Sequence, residues 1–115
     1  MPYKVALHIG RWIDGHGFTG LLSEYEWGGN PGDDIFATEI QARQAAEVEA
    51  ASIYQAEYEA LPDSGFDVQS PRLEEEAHAY AIEGDWKNAC DSLHQAMNRK
   101  TRLRVLVNVR EVNER

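Results

Sequence analysis

The 115 residues make one domain, near the commonest domain size and long enough to bury a core without disulfide or metal staples. Apolar residues at 43% and charged residues at 27% exclude a disordered chain, and a single cysteine, Cys90, excludes an intrachain disulfide and fits a reducing cytoplasm. Of the 20 acids behind the net charge of −9, 18 lie in residues 12–98 beside only Arg43, Arg72 and Lys87, a field that repels nucleic acid and attracts basic protein surfaces.

The opening MPYKVALHIG has one lysine and an apolar run too short for a signal peptide or membrane helix, so a soluble cytoplasmic protein without membrane contact is expected. Tyr3, Val5, Leu7 and Ile9 alternate with Lys4, Ala6 and His8, the period of a half-buried strand. Asp14-Gly15 and Gly17 supply the positive φ angles of a tight connection, and FTGLLSEYEW, residues 18–27, reads as the returning strand. GGNPGDD, residues 28–34, is a loop by composition.

Thr38 with Gln41 has the form of a capping box, and Ile35 and Phe36 can staple the entry to a helix. The alanine-rich stretch from Glu39 to Leu61 has no glycine or proline, so propensity favours one long helix. Ala42, Ala46, Ile53, Ala56 and Ala60 fall near one face, a small-residue stripe suited to lying on a sheet, with Tyr54 and Tyr58 on a flank away from it. Pro62, with Asp63-Ser64-Gly65 behind it, ends the helix, and 65–71 reads as an extended or looping segment.

Leu73 to Glu83 and Trp86 to Lys100 read as two helices broken at Gly84-Asp85, the glycine as αL stop and the aspartate as the next N-cap. Leu73, Ala77, Tyr80 and Ala81 form one apolar stripe, and Ala89, Leu93, Ala96 and Met97 the facing one. Leu73, Ala77, Tyr80, Gly84, Trp86, Ala89, Leu93 and Ala96 resemble one tetratricopeptide helical hairpin in order and spacing. Thr101 and Arg102 stand where that family closes a repeat with proline, and the unit occurs once, so it reads as an αα unit rather than a peptide-binding array. RLRVLVNVREV, residues 102–112, is a strand with Leu103, Val105, Val107 and Val109 on one side, expected to pair with the first strand. The order gives an α+β fold: a small antiparallel sheet of two N-terminal strands and the C-terminal strand, covered by a long helix and a helical hairpin.

Candidate chemistry is sparse. Glu75 with His78 and Asp91 with His94 have metal-ligand spacing, but both histidines fall beside the apolar stripes and are expected to face water. Asp14 and His16 are explained by the turn they sit in, and Cys90 reads as a small core hydrophobe without a nucleophile's partners. No catalytic residue, cofactor or metal is expected, and an enzyme is not.

What remains is acid and aromatic. Glu47, Tyr54, Glu57, Tyr58 and Glu59 on the long helix, Glu74, Glu75 and Glu76 at the start of the next, and Asp85 are the candidate partner-binding residues. Rings supply contact area and carboxylates supply steering toward a basic partner. The structural alternative is that the rings cover the hairpin or the sheet and the charge serves solubility. The size, the acidity, the two opening strands and the run DDIFATEIQARQAAEVEA resemble small acidic phage and mobile-element inhibitors of host defence, the anti-CRISPR proteins above all. The resemblance covers about a third of the chain. It implies an inhibitor whose acids at 39–59 and 74–85 mimic phosphates and occlude the basic, nucleic-acid-binding surface of a CRISPR effector subunit, without binding nucleic acid itself. The alternatives are an adaptor or regulatory module docking a partner helix on its hairpin, and a homodimer of structural role. Such a dimer would close through an edge strand, or through the basic 102–112 strand of one copy on the acidic face of another.

Overall fold

The computed structural model describes residues 3–27, 36–65 and 67–112. The loop expected at 28–34, the staple residue Ile35 and Phe66 lie outside them. Three strands, β1 (Tyr3–Ile13), β2 (Gly17–Trp27) and β3 (Arg102–Glu111), form one antiparallel sheet in the order β2-β1-β3. Gly15 and Gly17 take φ of 84° and 85° in the β1–β2 connection, where a side chain would be strained. β1 pairs with β3 from Tyr3 opposite Glu111 to Trp12 opposite Arg102, as the sequence predicts, so the most regular strand at each end of the chain finds the other.

Alternation puts Val5, Leu7 and Ile9 of β1 and Leu103 and Val105 of β3 on one face, and all five are buried. Helix α1 (Glu39–Ala60) covers them. Its entry is a capping exchange: the Gln41 amide donates to Thr38 Oγ1 at 3.2 Å, and the Ala37 amide donates to Gln41 Oε1 at 3.1 Å. Ala42 and Ala46 are fully buried, which lets the backbone of α1 lie close to the strands. Ala56 and Ala60, expected in the same stripe, are exposed. The buried line instead rotates round the helix through Tyr54 to Leu61, because the second half of α1 leaves the sheet and packs on another helix.

That neighbour belongs to the hairpin of α2 (Pro71–Ile82) and α3 (Trp86–Ala96). The Leu73 amide donates to Ser70 Oγ at 3.4 Å to cap α2, with Pro71 in its first turn. Gly84 stops α2 in αL with φ of 79°, and Asp85 caps α3 by accepting from the Asn88 amide at 3.4 Å and from its side chain at 2.7 Å. α3 ends at Ala96, four residues earlier than its pattern suggests, and Asn98 turns the chain with φ of 56° toward β3. Leu61, Ala77, Leu93, Ala96 and Met97 form a second apolar cluster, which joins the first through Tyr58. The fold is α+β, with α1 and α3 layered on β1 and β3. Among the described residues no helix is long and apolar enough to cross a membrane.

Candidate functional site

Where α1 leaves the sheet, its last turn faces the start of α2, and a cleft of about 440 Å³ opens between them. Its apolar lining is Tyr58, Pro62 and Leu93; its polar lining is Glu59, Glu74, Glu75 and His78. Leu93 is held there by the second apolar cluster, and Tyr58 by its ring contact with Trp86, 5.8 Å between centroids. Glu74 stands in the first turn of α2, where the helix dipole also favours a carboxylate. Burial, and next the charge of Glu74, push the Tyr58 phenol above its ordinary value, so it stays a neutral ring at physiological pH.

Four of the nine residues nominated from sequence, Tyr58, Glu59, Glu74 and Glu75, therefore meet at one place. The other five do not. Tyr54 is no surface anchor: it is 4% exposed, and its hydroxyl accepts the Val105 amide of the edge strand β3 at 2.9 Å. The rotation of the buried line turned it into the core. Glu57, two residues before Glu59, points inward to Arg11 of β1 at 3.5 Å and to His94 at 3.9 Å. Asp85 is engaged as a helix cap, and Glu76 pairs with Arg72 along α2 at 3.7 Å. Glu47 lines a separate, smaller hollow beside Asp85 that already contains a cation, Lys87.

The basic residues of β1 and β3 pair with this chain's own acids. Lys4 and Arg110 hold Glu26 at 3.0 and 3.3 Å, Arg102 holds Asp14 at 3.0 Å, and Arg104 holds Asp91. The β3 arginines Arg102, Arg104 and Arg110 are thus each engaged within the chain. Residues 36–98 keep 13 acids against three bases, so the helical layer carries the excess negative charge.

His94 departs most from expectation. It is 1% exposed rather than solvated, and both ring nitrogens lack a hydrogen-bond partner. Burial, then the charges of Arg99, Arg11, Arg102 and Arg104, push its pKa down to about 3, so the ring is neutral. Two facing stripes account for Ala89, Leu93, Ala96 and Met97 but not for Cys90 and His94, because α3 packs on α1, α2 and β3 and is buried over a wider arc than one stripe. The Asp91–His94 pair is thereby split, with Asp91 turned to Arg104. Glu75 and His78 do share the cleft, but among the described residues no group of three such side chains forms a metal cluster. The Cys90 thiol donates to the Tyr54 carbonyl at 2.8 Å, and burial, then Glu57 and Asp91, raise its pKa to about 12, which disfavours a thiolate nucleophile.

Comparison of the chain with family models, with curated proteins and with solved structures finds no match.

Proposed function

We propose that this chain is a non-enzymatic binding protein whose acidic helical layer docks on a basic protein surface and occludes it, in the manner of the anti-CRISPR proteins its sequence resembles. The observation that carries the reading is the separation of charge. The bases of the sheet are paired with local carboxylates, while residues 36–98 keep 13 acids against three bases and gather Glu59, Glu74 and Glu75 round an apolar cleft. Rows of carboxylates on helices repel nucleic acid and compete with it for the same arginines and lysines. The partner on this reading is a nucleic-acid-binding subunit of a bacterial defence complex, met in the host cell cytoplasm. The buried, raised thiol of Cys90 and the buried ring of His94 support a role without covalent or acid–base catalysis.

Displacement of nucleic acid tests this directly. Titrating the protein into a purified CRISPR effector complex holding a labelled target strand is expected to release the strand, read as a fall in fluorescence anisotropy. A strand that stays bound at saturating protein would refute occlusion. The adaptor reading has one observation in its favour, the 74% exposed Ile82 at the end of α2. It predicts a ternary complex in the same experiment.

A further inference from the structure

Several acids of the helical layer have a cation beside them, and those of the cleft do not. Glu39 has Arg43 at 2.9 Å, Glu76 has Arg72, Glu57 has Arg11 and Asp91 has Arg104. The hollow beside Glu47 has Lys87 in its own wall. Among the described residues Glu74 and Glu75 form no ion pair and no lysine or arginine lines the cleft, and Glu59 accepts a hydrogen bond from the neutral Gln55 at 3.1 Å. These carboxylates surround an opening whose volume is in the range of a ligand site and whose walls are a tyrosine ring, a leucine and a proline. An acidic rim over an aromatic and aliphatic wall is complementary to one kind of side chain: a long apolar stem ending in a cation.

We infer that the cleft between the end of α1 and the start of α2 receives an arginine side chain from a basic segment of the partner, its stem against Leu93 and Pro62 and its guanidinium between Tyr58 and the carboxylates of Glu59, Glu74 and Glu75. This rests on the reading of the helical layer as a docking surface and names the group the surface takes. Arginine is preferred to lysine because a planar guanidinium stacks on a ring face while its fork donates to two carboxylates, which a compact ammonium cannot do together. The cleft is then the anchor, and the remaining acids of the helices set the approach.

The test uses a short capped peptide of alternating glycine and arginine, and its lysine counterpart, titrated into the full chain. Binding is followed by tryptophan fluorescence, since Trp86 touches the Tyr58 ring. The arginine peptide is expected to bind more tightly than the lysine peptide. A Glu59→Gln/Glu75→Gln variant is expected to lose about tenfold in affinity, whereas Glu39→Gln/Glu47→Gln, with the same change of charge outside the cleft, keeps most of it. Equal losses in both variants, or none in the first, overturn the arginine site and leave the acidic docking face standing. An arginine peptide that fails to bind the unmodified chain even at low salt overturns both.

Discussion

Lowering the pH from about 7.5 to about 5 perturbs one interior group selectively, His94. In the unfolded chain its imidazole titrates near the ordinary histidine value, whereas in the fold burial among four arginines holds the pKa at about 3. Between those two values the unfolded chain binds a proton that the folded chain refuses. Stability is therefore fully present above about pH 6.5 and falls as the pH is lowered, by about 1.4 kcal/mol for each pH unit. At about pH 5 the loss is about 2 kcal/mol, a drop of about 8 °C in melting temperature for a domain of this size. Glu57, 3.9 Å away, would recover part of this by pairing with an imidazolium, but Arg99, Arg11, Arg102 and Arg104 oppose it. Urea unfolding at the two pH values, for the native chain and for His94→Leu, measures the effect. The variant removes the titration while keeping an apolar filler, so its stability should change less over that interval by about 2 kcal/mol. Parallel pH dependence in the two proteins would refute a buried neutral His94.

Three further outcomes follow from the fold. Tyr54→Phe leaves the Val105 amide without its acceptor and should cost about 1–3 kcal/mol by chemical denaturation, more than removing a surface hydroxyl would. Gly84→Val forces a β-branched residue into φ of 79° and should destabilise by about 1–2 kcal/mol, whereas Gly84→Asn should cost less. Cys90 should resist alkylation in the native protein at mildly alkaline pH and react only on unfolding; rapid native labelling would contradict its burial and its raised pKa.

The strands and their pairing were legible in the chain because period-two alternation in 3–9 and 103–109 needs only one buried face, and both strands have one. The breaks were legible because Gly84-Asp85, Thr38 and Pro62 act locally, through backbone geometry and capping. Tyr54, Glu57 and His94 were not, for one shared reason. Each lies on a helix with more than one packing partner, and a single helical stripe cannot express a buried arc that rotates or widens along the axis. Surplus aromatic residues are ambiguous in the same way: Trp12 packs edge-on against Phe18 across the hairpin, and Trp86 supports Tyr58, so only Tyr58 of these reaches the cleft. Of the candidate site, what sequence shows is the density of acids. Which of them lack a local cation depends on contacts between α1, α2 and the sheet that no spacing encodes.

On the proposed function, charge on the helical layer steers this protein onto a basic surface. The sharpest test of that steering is the association rate with a purified CRISPR effector complex, measured against ionic strength for the native chain and for Glu59→Lys/Glu75→Lys. Glu59 and Glu75 are the proper pair for this, since Glu57 is engaged with Arg11 in the interior. The native rate is expected to fall steeply from low to physiological salt, and the charge reversal to slow association more than it speeds dissociation. A rate indifferent to both salt and charge reversal would contradict steering by charge.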